Sequence, residues 1–454
     1  MIKRWIKGRD GFYRELFVLV LPIVIQNLIS SAVNMADVVM LGRVDQTSLA
    51  ASSLAGQVMF LLYIVYFGLN SAMTILAAQY WGKKDTRTIS KILGIGLIIS
   101  LFFSALTALL AWFAPRAVIS VWTNVPELVE AGARYLRWVA LSYIFTGIVQ
   151  PYLSILKSCE RVSFSTAVTA GTLGINVVLN ALLIFGLGPF PRMGIIGAAL
   201  ATTISWGVGL AVCIVDFLRQ TILPRELGNM FRIPRVLVSD FVRYSLPAFI
   251  NDAMWGLAFN MNSIIMGHLG SDIVAANSVV TVARDLVSVV GFGIAAAASI
   301  LLGKEIGENR LETARQDAAS ILRTAVLSGV LSGLVLLMLS PLIPGLVKIS
   351  PTAAHYLRVM LLINTVYQLG QVVNTVLIAS LFRCGGDSKY GMILDVSCMW
   401  GFAVPLGLIS AFVLKLPPLT VYLLMCTDEF AKMPFALHHY RSGNWIRNLT
   451  REMT

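Results

Sequence analysis

Long uninterrupted apolar runs dominate the chain, with short charged breaks between them. About twelve occur, near 14–41, 48–80, 90–114, 130–156, 163–188, 194–218, 239–268, 274–302, 317–345, 354–382, 390–414 and 418–438. A helix needs roughly 20 apolar residues to cross about 30 Å of hydrocarbon, and each run reaches that length. The runs are continuous and do not alternate with period two, which excludes a transmembrane β-barrel. The pattern predicts an all-α polytopic membrane protein of about 12 transmembrane helices.

The chain also echoes itself. Leu21-Pro22 opens the first long run and Leu246-Pro247 the seventh. Met35 to Met40 is matched by Met261 to Met266, Gly82 by Gly307, Tyr135-Leu136-Arg137 by Tyr356-Leu357-Arg358, and Cys159 by Cys384. The five pairs keep one order and nearly one offset, the signature of an internal repeat. Six spans per half start both halves on the same side. The expectation is two six-helix bundles related by a pseudo-two-fold axis along the membrane normal, with the substrate path between them. The expected boundaries are 1–218 for the first bundle, 219–238 for a cytoplasmic linker, 239–440 for the second bundle and 441–454 for a cytoplasmic tail.

Polar residues inside the spans carry the functional reading, since an ionisable group at mid-membrane costs about 3 kcal/mol on insertion scales. Asn27, Ser30, Asn34 and Asp37 recur every three or four residues, so they share one helical face. Asn176 and Asn180 share a face of the fifth span, and Thr202 lies in the sixth. At about 1.5 Å per residue, these groups sit roughly 22–34 Å from the basic inner flanks and fall in the outer part of one bundle. Asp37 is the leading candidate for ion coupling, with Asn176, Asn180 and Thr202 around it. Interhelical hydrogen bonding is the competing role for the amides and the threonine. In the second half, Asn277 and Arg284 share a face with Thr281 and Ser288, and Gln368 lies in a polar row of the tenth span. Asn34, Asn277, Arg284 and Gln368 are the candidate substrate-cavity residues. Asp252, Asp285 and Asp395 stand as either a second ion site or structural ion pairs, with Arg284 pairing to Asp285 or Asp252.

Composition sharpens the class. Hydrophobic residues make up 57% of the chain and charged ones only 13%, against about a quarter in soluble domains. The net charge of +12 would fit a nucleic-acid binder, but its distribution does not. Lys and Arg crowd alternate loops, and the intervening loops hold little beyond Arg43, Arg116, Arg192, Lys348 and Lys415. Positive charge concentrates on the cytoplasmic side, so both termini are expected there, in the inner membrane, with no nucleic-acid partner. The start, Met1 to Lys7, fits a short interfacial helix or a loose basic tail. The five cysteines form no C-x-x-C pair and read as apolar fillers. No Asp-rich pair suits a magnesium-dependent prenyltransferase; Asp428-Glu429 near the end of the last span comes nearest. No metal or organic cofactor is expected.

Leu21-Pro22 with Asp37 and Gly42, the Asn176-x-x-x-Asn180 run ending at Gly186, the stretch Gly194 to Thr202, and Trp400 with Pro405 together resemble the multidrug and toxic compound extrusion (MATE) transporters. The resemblance covers nearly the whole chain. It implies alternating access by two bundles and export of small organic, often cationic, compounds in exchange for protons or sodium. It also implies that Asp37 is a proton or cation site ringed by Asn176, Asn180 and Thr202. Some members carry a carboxylate where Asn180 stands, which leaves Asp37 as the main candidate here. The partners expected are small organic substrates and the bilayer, with the chain a monomer. The alternative is a flippase for lipid-linked oligosaccharide or peptidoglycan precursors. Arg284 as the only mid-span arginine argues against the cationic cavity such a flippase uses.

Overall fold

The computed structural model describes residues 11–220, 222–224, 227–346 and 349–451. The basic stretch Met1–Lys7, Arg225 and Lys348 lie outside the described residues, as does the side chain of Asn34. Every regular element of the described chain is helical, as backbone immersed in lipid must be. Among the described residues, ten helices are long and apolar enough to cross a membrane. Two further runs expected to span are also helical. Helix Arg235–His268 has 34 residues, but Asp240, Arg243, Asn251 and Asp252 dilute its apolar character. The last run is two helices, Pro418–Met425 and Asp428–Ser442, separated by a turn.

The chain divides into two compact units, Ile25–Val242 and a second unit formed by residues up to Val24 together with Arg243–Glu452. The first boundary falls inside helix Phe12–Gly42, two residues past Pro22. Pro22 therefore does not open the first span as expected; it lies within the helix and removes a backbone bond there. Pro247 likewise lies inside helix Arg235–His268. Residues before the boundary pack with the second half: a Cβ on Gly293 would stand 2.6 Å from Val24 Cγ2.

Within the unit Ile25–Val242, five long helices follow the first in order: Gln46–Gly82, Thr86–Phe113, Pro126–Ser158, Val162–Phe185 and Ile195–Arg219. Asp45 caps the second by accepting from the Ser48 amide at 2.6 Å. Gly186 closes the fifth in the left-handed conformation, φ 71°. The segment expected to be a linker is partly anchored: the Gln220 side-chain oxygen accepts from the amides of Ile222 and Leu223 at 2.6 and 2.8 Å, and Met230 is buried against Gly94.

Helices Val162–Phe185 and Ile195–Arg219 approach closely because small residues line their contact. A Cβ on Gly197 would lie 2.7 Å from the Leu183 carbonyl carbon, and one on Gly209 2.7 Å from Thr172 Oγ1. Lipid supplies no hydrophobic drive between helices, so this kind of backbone approach is what holds them.

In the second unit, helix Pro351–Asn374 runs on into a π-helical stretch, Thr375–Phe382, and helix Ser388–Cys398 into another, Met399–Ala403. The described part of the expected tail packs against the second unit. Trp445 is buried and the Arg447 amide donates to the Gly385 carbonyl at 2.9 Å. All five cysteines are free.

Replacing Gly197 with leucine forces the two helices apart. The expected cost is about 1–3 kcal/mol, read as a lower melting temperature of the detergent-purified protein. Gly174→Ala, where nothing stands within 4 Å, is expected to be neutral or slightly stabilising. Equal effects of the two changes would contradict this account of the contact.

Candidate functional site

The close contact around Gly197 sets the first site. One turn further along the same helix stands Thr202, and it reaches the facing helix at Asn176, whose Nδ2 donates to Thr202 Oγ1 at 3.2 Å. The Thr202 hydroxyl in turn donates to the Ala198 carbonyl at 3.0 Å. One turn along from Asn176, the Asn180 amide nitrogen donates twice, to Asn176 Oδ1 at 3.2 Å and to Asp37 Oδ1 at 2.6 Å. Both N–H groups of Asn180 are thereby engaged. Asn180 and Asn176 are buried, and Asp37 is half-buried.

The network diverges from Asn180: one N–H feeds the run through Asn176 to Thr202, and the other meets the Asp37 carboxylate, which only accepts when ionised. A hydrogen bond to an ionised acceptor is roughly twice as strong as a neutral one. All four residues named from the sequence meet in this one network, within the unit Ile25–Val242. Sequence reasoning missed Tyr135, which lies near both Asp37 and Thr202. The signal was its place among the repeat pairs. The same face of the first helix continues to Gln26, whose Oε1 faces the Thr166 hydroxyl at 3.5 Å.

The second unit handles charge differently. Asp252 does not pair with Arg284. It forms a two-pronged bond with Arg383, at 2.6 and 3.2 Å, because Arg383 projects from the π-helical end of the tenth span. Asp395 pairs with Lys432 at 2.7 Å. Lys432 also meets Glu429 at 2.9 Å and lies 4.0 Å from Asp428. Asn374 Nδ2 donates to Glu429 Oε2 at 2.7 Å. Lys432 is only 3% exposed, so three carboxylates share one buried ammonium. Reading 418–438 as a plain apolar span hid this cluster. The spacing Asp428-Glu429-x-x-Lys432, which puts both acids on the lysine's face, was the available sign.

Arg284 lies 3.6 Å from Asp285, whose side chain is 66% exposed. Arg284, Asn277 and Thr281 line a recess of the second unit together with Gln371. Gln368, expected in the cavity, lies behind it. It is fully buried and donates to the Ser288 hydroxyl at 3.1 Å. The tenth-span helix turns Gln371 to the recess and Gln368 into the packing. Among the described residues, no three His, Cys, Asp or Glu side chains are grouped to hold a metal ion.

A sequence model of the MatE family matches residues 22–182 and 247–409, more than two-thirds of the chain and one match per half. The chain belongs to the MATE family of membrane transporters. It is 27% identical over 411 residues to a probable multidrug resistance protein NorM of Rhizobium meliloti, covering 87% of each chain. It is equally 27% identical over 401 residues to the multidrug resistance protein NorM of Burkholderia vietnamiensis, covering 86% of this chain and 85% of that one. Its fold matches a multidrug resistance MATE transporter solved in the outward-facing conformation, with a TM-score of 0.85, 19% identity and 96% of each chain covered. Membership excludes the prenyltransferase reading. It also gives the repeat its meaning, since each half carries its own copy of the MATE unit.

Removing the cation from the acidic cluster is the sharpest probe of it. Lys432→Leu leaves Asp395, Asp428 and Glu429 without their shared partner, and breaking such a buried pair costs about 3–5 kcal/mol. The loss of melting temperature is expected to be largest at pH 8 and smaller at pH 5, where protonation relieves the repulsion. A loss independent of pH would show that packing of the lysine stem, not its charge, is what counts.

Proposed function

We propose that this MATE protein is a secondary active antiporter of the inner membrane. It exports small organic, often cationic, compounds by alternating access, with both termini in the cytoplasm and the monomer as the working unit. The coupling ion is a proton carried by Asp37; sodium is the alternative that the experiment below separates. The observation that carries the reading is the 2.6 Å bond to Asp37 from Asn180, whose other N–H is held by Asn176.

The chemistry follows from that bond. Ionised Asp37 takes the Asn180 N–H. A proton arriving from outside removes the charge, and the bond weakens to the neutral kind. The Asn180 oxygen is buried and has no hydrogen-bond partner, so it is free to accept from a protonated carboxyl. Each protonation state thus has its own pairing between the first and fifth spans. For a neutral substrate, one charge moved across 100 mV contributes about 2.3 kcal/mol, enough to hold roughly a fifty-fold gradient per proton; for a monovalent cation the exchange moves no net charge, and the pH gradient alone drives it. The multidrug resistance relatives support organic substrates, and the crowding of Lys and Arg into alternate loops supports the orientation.

The test is uptake of a fluorescent organic cation into proteoliposomes under an imposed pH or sodium gradient, for wild type and Asp37→Asn. A pH gradient alone is expected to drive transport, and the variant is expected to lose at least about tenfold of that rate. Transport driven by sodium alone, and retained in Asp37→Asn, would overturn the assignment of the coupling group.

A further inference from the structure

The recess of the second unit contains a cation that the protein leaves largely unanswered. Arg284 Nε is buried and has no hydrogen-bond partner. Its nearest carboxylate, Asp285, stands 3.6 Å away with most of its side chain exposed, a pairing worth little. The contrast with the rest of the unit is sharp: Arg383 and Lys432 each meet a carboxylate within 2.7 Å. Asp428 also lines the recess, but its charge belongs to the cluster around Lys432. A guanidinium kept inside a membrane protein without a matched anion is costly. Its planar fork of donors fits a carboxylate.

The surroundings specify what else the anion belongs to. Phe259 carries the Arg284 guanidinium over its ring at 5.2 Å and stacks on Trp255 at 6.0 Å, with 19° between the rings. Trp255 is 44% exposed, so the aromatic surface runs outward from the recess. Asn277 and Thr281 add polar edges beside the arginine. The recess opens to its surroundings and holds about 70 Å3, room for several waters at about 10–15 Å3 each. Trp255 and Phe259 line the recess beside Arg284, so a carboxylate on the arginine places the body of its ligand against the aromatic wall.

We propose that this recess is an anion subsite that recognises the carboxylate of planar aromatic compounds, with Arg284 binding the carboxylate and Trp255 and Phe259 taking the ring. The inference rests on the export reading only in calling the bound molecule a substrate; the binding itself does not depend on coupling.

The probe is a matched pair, dansylglycine and its neutral amide dansylglycinamide, titrated by fluorescence onto the full-length protein in maltoside detergent. Wild type is expected to bind the acid roughly tenfold tighter than the amide, the order of a charge-assisted bond. Arg284→Gln is expected to bring the acid to the level of the amide and leave the amide unchanged, while Arg284→Lys keeps part of the preference. Equal binding of acid and amide by wild type, or binding of neither, overturns the proposal. So does a loss of both ligands together in Arg284→Gln, which would mark a structural role. If Arg284→Gln does not fold, the wild-type preference and its reduction in Arg284→Lys decide the matter. Failure here leaves proton-driven cation transport through Asp37 untouched, and failure of that transport leaves this preference readable.

Discussion

In hydrocarbon a polar group has only the protein to answer it, and that constraint orders this molecule at every level. It makes the backbone helical. It makes helix contacts depend on small residues, as at Gly197 and Gly209, where backbone and side-chain atoms fill the space a Cβ would need. It then decides where polar side chains stand, because each must find its partner across such a contact. The link from Thr202 to Asn176 exists only because the two helices come close enough for a threonine and an asparagine to touch.

The two units meet the same constraint with different chemistry. In the unit Ile25–Val242 Asp37 is answered by a neutral donor, Asn180, while Asp216 in the last turn of its helix pairs with Arg161. In the second unit carboxylates are answered by cations, Asp252 by Arg383 and Asp395 by Lys432. A neutral donor loses only a modest bond when its carboxylate is protonated, whereas a buried cation loses its counter-charge. The first arrangement therefore suits a group that must change charge repeatedly, and the second suits groups that hold theirs. Internal repetition of the fold has not been matched by repetition of the chemistry.

The fold was legible because apolar length and loop charge are properties of consecutive residues. The Asp37 network was legible for a related reason. Helical spacing placed Asn176 with Asn180, and counting from the basic flanks brought Asp37 and Thr202 to similar depth. Pairings across distant segments were not legible in this way. Asp252 faces Arg383 rather than Arg284, 131 positions away in the chain, and nothing in either local pattern announces it. Gln368 and Gln371 both lie in the polar row read from the tenth span, yet only Gln371 reaches the recess. A helical period gives a face, not the side of that face on which a neighbour packs. Pro22 was misplaced because a proline looks like a helix start until the helix is seen to continue on both sides of it.

The choice of asparagine at position 180 closes the argument about charge. A carboxylate there would offer acceptors only, and beside an ionised Asp37 it would need a proton of its own. A leucine would leave the ionised state without a donor in a buried place, at a cost of about 1–3 kcal/mol. The amide presents both a donor and an acceptor on one short side chain. Its N–H groups are engaged now, and its oxygen is buried without a partner. An oxygen left unanswered in that position is a defect if Asp37 keeps one protonation state. It is a waiting acceptor if Asp37 takes up a proton, and the cost of leaving it bare in one state is what makes the two states close enough in energy to exchange.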